Sequence, residues 1–185
     1  MNWLEWIAVG LGVANVVLVV RRSIWNYPFG VAMVSLYFFI FLDKKLYSDS
    51  LLQIFFFVIQ LYGWWAWSRA PHVDDGVAVT SMSQRSRGQW LAGTVAASLA
   101  WGLLMHRYTD AAAPFVDAAV AGLIVTAQIL QSLRRYECWI LWIAADVVAI
   151  GLYAWKGLAL TSGLYGLFLI LAIVGLIDWR KKLAQ

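Results

Sequence analysis

The chain has 185 residues, of which 63% are hydrophobic and only 13% charged, with a formal net charge of +4. A soluble domain is nearer half apolar and a quarter charged, so the composition excludes an ordinary water-soluble fold. The basic excess does not point to nucleic acid, because Lys and Arg sit at the ends of apolar blocks, where membrane topology accounts for them.

The apolar residues fall into blocks of about 17–22 residues, the length that crosses a bilayer as a helix. They predict seven transmembrane helices, near 3–20, 25–42, 51–68, 89–105, 114–133, 138–155 and 158–177. The expected fold class is an all-α polytopic membrane protein, one transmembrane domain over residues 1–185, since no linker is long enough to separate a second domain from the first. The opening MNWLEW lacks the positive run and cleavage site of a secretory signal, so the first block is expected to be retained. Cys138 is the one cysteine, which excludes an internal disulfide.

In chain order, the first helix carries Asn15. After the second, Ser48 and Asp49 in YSDSLL suit the cap of the third. The third helix sets Gln53, Phe57, Gln60, Trp64 and Trp67 at spacings of three and four, on one stripe. Residues 69–88 are polar, with Pro, Gly and Ser, and read as a flexible loop. The fourth helix is followed by the fifth, with Asp117 near Pro114 and Gln128 deeper. In the sixth, Trp139, Trp142, Asp146, Ile150 and Tyr153 form a second stripe, and the seventh holds Ser162 and Tyr165.

Lys and Arg are unequally divided between the two sides. Arg21, Arg22, Arg69, Arg85, Arg87, Arg134, Arg135, Arg180, Lys181 and Lys182 share one side, against Lys44, Lys45, Arg107 and Lys156 on the other. The positive-inside rule puts the larger group in the cytoplasm, with the N-terminus outside and the C-terminus inside.

A weak repeat runs through the chain. Lys44, Leu46, Gly63, Trp67 and Arg69 have like counterparts 112 positions later, in Lys156, Leu158, Gly175, Trp179 and Lys181. With small gaps, Arg21-Arg22 aligns with Arg134-Arg135, and Trp25 with Trp139. These matches relate residues 3–68 to residues 114–180, with the helix at 89–105 as a connector. Such a 3+1+3 plan makes the halves parallel repeats, as in transporters whose sites lie at the repeat interface. Arg pairs and Trp belts also recur at the ends of unrelated membrane helices.

Asp146 is the outlier. A charged side chain at the bilayer centre costs roughly 2.5–3.5 kcal/mol on insertion scales. No Lys or Arg lies at its depth on any predicted span, so a cationic ligand between aromatic faces is the expected counter-charge. Gln60 and Gln128 have a plainer alternative as interhelical hydrogen-bond glue, and Trp139, Trp64 and Trp67 as an interfacial belt. His72 and His106 stand apart, and there is no H-E-x-x-H, G-x-S-x-G or phosphate-binding loop. An enzyme is therefore not expected, and no metal or cofactor. A non-transporting membrane scaffold would explain the helices but not the acid.

LYSDSLLQIFFFVIQLYGWWAWSR resembles the third-helix signature of the PnuC family of vitamin-precursor transporters. ECWILWIAADVVAIGLYAWKGLALTSGLYGLFLILAIVGLIDW resembles its helix 6–7 block, and PFVDAAVAGLIVTAQIL its helix 5. The resemblance spans roughly residues 3–182. It implies uptake of nicotinamide riboside by facilitated diffusion at a bacterial inner membrane, with trapping by a cytoplasmic kinase. It also implies a homo-oligomer, a trimer by analogy. Related members carry thiamine or riboflavin. Where nicotinamide riboside carriers usually have Asn after the helix 6 tryptophans, this chain has Asp146. A carboxylate only accepts hydrogen bonds, and thiamine, with a cationic thiazolium and an aminopyrimidine donor, suits it as well. The substrate contacts expected are Asp146 with Trp142, Trp139 and Tyr153, joined by Gln53, Gln60, Trp64 and Tyr165.

Overall fold

The computed structural model describes residues 3–43, 47–74, 76–109, 113–155 and 159–183. These residues form seven helices: α1 Trp3–Val20, α2 Asn26–Asp43, α3 Tyr47–Ser68, α4 Gln84–Tyr108, α5 Pro114–Ser132, α6 Cys138–Trp155 and α7 Ala159–Leu183. The all-α class and the order of elements agree with the expectation, and the ends differ. Helix α3 begins at Tyr47, so Ser48 and Asp49 lie within it rather than at its cap. Helix α4 begins after Ser83, whose hydroxyl accepts from the Ser86 N–H at 3.3 Å. Helix α7 runs on to Leu183 and takes Arg180, Lys181 and Lys182 into its last turn, where cations suit the helix dipole. Lys44, Lys45, Leu46, Lys156 and Leu158, used in the repeat and topology arguments, lie outside the described residues.

Among the described residues, five helices are long and apolar enough to cross a membrane: α2, α3, α5, α6 and α7. Helix α1 contributes a shorter apolar stretch, Trp6–Val20. Helix α4 is diluted by Arg85, Arg87 and Gln89 at its start and His106 and Arg107 at its end. Its apolar middle, residues 90–105, is about 24 Å long at 1.5 Å per residue, short of a hydrocarbon core of about 30 Å.

Contacts divide the chain into two units, residues 1–78 with 132–134, and residues 79–131 with 135–185. In the first, α2 packs on both α1 and α3. Tyr27, fully buried, meets Trp67 edge-on, with ring centroids 5.3 Å apart at 86°. It lies on Gly63, where an added Cβ would stand 2.6 Å from its ring and hydroxyl. In the second unit α6 packs on α7. Trp139, at 1% exposure, meets Trp179 edge-on at 5.5 Å and 89°. It lies on Gly175, where an added Cβ would come within 2.5 Å of the indole. Tyr27 and Trp139, Gly63 and Gly175, and Trp67 and Trp179 are each 112 positions apart.

Arg22 and Arg134 share that spacing. Both adopt the left-handed conformation, at φ 55° and 59°, which is uncommon outside glycine. Each terminates a helix with an N–H to C=O bond five residues back: Ser23 to Leu18 and Arg135 to Leu130, both at 2.9 Å. This is the 6→1 closure that a left-handed residue makes at a helix end.

The segment 69–88 is not the flexible loop its composition suggests. His72–Val73 pairs antiparallel with Gly76–Val77. In the first unit, buried Arg22 donates through Nη1 to the Val73 and Val77 carbonyls, each at 3.4 Å, and its own carbonyl accepts from the Val77 N–H at 3.1 Å. Arg134 Nη1 donates to the Ala78 carbonyl at 3.3 Å. In the second unit, Thr80 bridges Arg135 in parallel, the Tyr136 N–H donates to the Thr80 carbonyl at 3.1 Å, and Arg135 Nη1 to the Ser81 carbonyl at 2.7 Å. Buried backbone polar groups need partners. Here they come from side chains and backbone about fifty residues away, which local composition does not reveal.

Overpacking a filled contact costs about 1–3 kcal/mol. Gly63→Ala and Gly175→Ala should therefore lower the thermal unfolding midpoint of detergent-purified protein. Gly166→Ala, where an added Cβ meets nothing within 4 Å, should leave the midpoint unchanged or raise it slightly.

Candidate functional site

The site is built on α6, an 18-residue helix with no basic residue in its sequence CWILWIAADVVAIGLYAW. Asp146 lies at its middle and is buried, at 4% exposure. Among the described residues it accepts no hydrogen bond and forms no ion pair. One turn earlier, half-buried Trp142 donates its indole N–H to Gln131 Oε1 of α5 at 3.1 Å, which fixes the direction of the ring. Trp139, a further turn back, is held between Gly175 and Trp179, and its buried Nε1 has no acceptor among the described residues. It is neither an interfacial belt residue nor an open ring face, but the packing anchor of α6 on α7.

At the other end of α6, Tyr153 stacks on Tyr165 of α7, with centroids 5.2 Å apart at 21°. Phe168 stands edge-on to Tyr165 at 6.2 Å. Ser162 Oγ donates to the Ile150 carbonyl at 3.1 Å and ties the start of α7 to α6. The α6–α7 pair thus carries an acid at mid-depth, flanked along its own helix by a positioned indole and a tyrosine pair.

Gln53, Gln60 and Trp64 belong to the first unit. Gln60 is buried, and its carboxamide converges with that of Asn15 over Gly30. A Cβ at Gly30 would lie 2.5 Å from Gln60 Nε2 and 2.8 Å from Asn15 Nδ2. Asn15 Nδ2 donates to the Asn26 carbonyl at 2.7 Å, and Asn26 Nδ2 to the Ser23 carbonyl at 2.7 Å. Gln60 Oε1 and Asn26 Oδ1 are buried without a hydrogen-bond partner among the described residues. Gln53 is half-buried, whereas Trp64 is 38% exposed. The packed face of α3 turns on Gln60, Gly63 and Trp67 instead.

A cleft of about 380 Å³ between α4 and α5 is lined by Gln89, Trp90, Gly93, Thr94, Gly122 and Thr126, among others. The Thr94 and Thr126 hydroxyls bond each other there at 2.8 Å. The cleft contains none of the residues singled out from the sequence. Among the described residues no group of three or more His, Cys, Asp or Glu is placed to hold a metal ion.

Gln131 and Asn26 were not foreseen. Gln131 shares α5 with Gln128, but no spacing rule connects it to Trp142.

Trp139 and Trp142 should separate by experiment. Trp139→Ala empties a fully packed position and should cost about 3–5 kcal/mol, seen as a large fall in thermal midpoint. Trp142→Ala, at a half-buried position, should change the midpoint far less.

A family model described as "Nicotinamide mononucleotide transporter" matches residues 2–181. The nicotinamide riboside transporter PnuC of Escherichia coli K12 is 26% identical over 97% of this chain and 85% of its own length. The protein of the same name from Neisseria mucosa is 28% identical over 97% and 73%. The riboflavin/roseoflavin transporter RibM of Streptomyces davaonensis is 26% identical over 96% and 84%. A crystal structure of the vitamin B3 transporter PnuC superposes with a TM-score of 0.82, at 27% identity, over 98% of this chain and 82% of that one.

Proposed function

We propose that this chain, which belongs to the nicotinamide mononucleotide transporter family, takes up nicotinamide riboside through the α6 site. The chain is a multi-pass membrane transporter, and the family and the relatives named above are transporters rather than enzymes. The observation that carries the substrate reading is Asp146, a buried acid with no partner among the described residues. Nicotinamide riboside has a planar cationic ring. It supplies the missing charge, and the Trp142 ring offers it a cation–π face. The phosphorylated form is disfavoured, because it would bring further negative charge to a helix that has no Lys or Arg.

Thiamine is the second reading, favoured by the identity of residue 146. A carboxylate only accepts, so it pairs with thiazolium charge and with an exocyclic amine, whereas an amide would also donate to the nicotinamide carboxamide.

Uptake runs down the concentration gradient at a bacterial inner membrane, and a cytoplasmic kinase traps the vitamin. The halves act as parallel repeats in a 3+1+3 plan. Supporting this are the Tyr27–Gly63–Trp67 and Trp139–Gly175–Trp179 contacts at one spacing of 112. That spacing pairs Trp139 with Tyr27 rather than with Trp25, and Arg134 with Arg22. The N-terminus is outside and the C-terminus cytoplasmic. A cysteine introduced at exposed Ser81 should resist an impermeant thiol reagent in intact cells and label after permeabilisation. Labelling in intact cells would reverse the orientation.

The deciding experiment is uptake into proteoliposomes with the membrane potential clamped at zero. Wild-type protein should bring labelled nicotinamide riboside to equal concentration on both sides and stop, with or without an imposed proton gradient. Asp146→Asn should weaken thiamine uptake about tenfold or more, the scale of 1.4 kcal/mol, and spare or raise nicotinamide riboside uptake. Asp146→Ala should lose both. Unchanged uptake in both variants would remove Asp146 from the site.

A further inference from the structure

Glu137 stands in the turn before α6, two residues ahead of Trp139, and is 5% exposed. Its Oε1 accepts from the Met82 N–H at 2.8 Å and from Arg87 Nε–H at 3.0 Å. Arg87 Nη2 lies 3.0 Å from the same oxygen. That guanidinium also donates to the Tyr136 hydroxyl at 3.2 Å and sits 5.8 Å from the centre of its ring. Arg87 belongs to the first turn of α4. One carboxylate oxygen therefore joins the backbone at residue 82, the start of α4 and the approach to α6.

This pair differs from an ordinary surface ion pair, which contributes little. The Glu137 side chain is nearly sealed, at 6% exposure, while Arg87 remains at 36%. Removing Arg87 would leave the confined Glu137 carboxylate without its counter-charge. Every hydrogen bond of the Glu137 side chain falls on Oε1, and Oε2 is buried with no hydrogen-bond partner among the described residues. The grip is thus directional, towards α4. A helix transmits axial displacement along its length. Trp142 and Asp146 lie roughly 8 and 14 Å further along α6 at 1.5 Å per residue.

We propose that Glu137 is a positioning residue for transport: held by Arg87 and the Met82 N–H, it sets the axial placement of α6 and so the depth at which Trp142 and Asp146 meet the vitamin. The proposal rests on the reading of Asp146 as the substrate-binding acid.

The test uses detergent-purified, monodisperse full-length protein, with calorimetric titration of nicotinamide riboside and of thiamine and a thermal midpoint for each variant. Glu137→Gln keeps the shape and removes the charge. It should raise the Kd of the folded protein by about tenfold, the scale of 1.4 kcal/mol, because α6 loses the grip that sets its axial placement. Arg87→Lys keeps the charge but loses the fork geometry, and should raise Kd by a smaller factor. An acid that only stabilises the start of a helix would lower the midpoint and leave Kd alone. Coupling supplies the second readout. Contacting or cooperating groups are non-additive, whereas independent distant sites multiply. Glu137→Gln combined with Asp146→Asn should therefore lose clearly less thiamine affinity than the product of the single losses.

A wild-type Kd in folded Glu137→Gln, or losses that multiply, would overturn the proposal. If Glu137→Gln does not fold, Arg87→Lys decides in the same way. If Asp146→Ala alone binds both vitamins like wild type, the substrate reading fails. The same cycle run with Trp142→Ala then decides whether Glu137 positions α6.

Discussion

A ring seated on a glycine is the contact from which the rest follows. Lipid tails are as apolar as leucine, so no hydrophobic force presses membrane helices together, and close packing must do the work. Gly63 lets α3 come up to Tyr27, and Gly175 lets α7 come up to Trp139. Trp67 and Trp179 then close on the same rings edge-on, the geometry that aromatic quadrupoles favour. Once Trp139 is buried against α7, the rotation of α6 about its own axis is set. Trp142 and Asp146 are carried on the same stripe, because residues three and four apart share a helical face. The direction of the acid is therefore a consequence of a glycine one helix away.

The polar groups inside the helices divide by whether they are answered. Asn15 reaches the Asn26 carbonyl, Thr94 meets Thr126, Trp142 reaches Gln131 and Ser162 reaches Ile150. Such bonds contribute modestly to helix association, about 0.6–2 kcal/mol each, and need no ligand to explain them. Asp146 has no such answer among the described residues. Gln60 Oε1 shares the condition in the first unit, in a weaker form, since an amide oxygen carries no full charge.

The class of the fold was legible because helix periodicity and block length are local properties of the chain. All seven helices could be placed to within a turn or so, apart from the longer polar ends of α4 and α7. Asp146 was legible for the same reason, as an acid in a hydrocarbon block. Trp64 was placed by spacing on the buried stripe of α3, yet it is partly exposed, because that face turns on Gly63 and Trp67. A pattern of three and four defines a stripe but not which of two adjacent stripes the neighbouring helix will cover. Glu137 and the ordered segment 69–88 were illegible for a different reason. Their partners are about fifty residues distant, and a run rich in Pro, Gly and Ser looks the same whether its carbonyls face water or arginine.

The fastening of that segment also orders events while the chain is being made. Its first half bonds backwards, since Val73 and Val77 meet Arg22, 51 and 55 residues earlier. Its second half bonds forwards, since Met82 and Arg87 meet Glu137, 55 and 50 residues later. On a ribosome the hairpin can close as soon as it emerges, because α1 and its arginine are already present. The stretch around Met82 has no partner until α5 has been threaded and the turn before α6 has followed. For that interval the hairpin is fastened to Arg22 while the backbone from Ala78 to Met82 still waits for Arg134, Arg135, Tyr136 and Glu137. A stall or a rare codon between residues 88 and 137 would lengthen that interval.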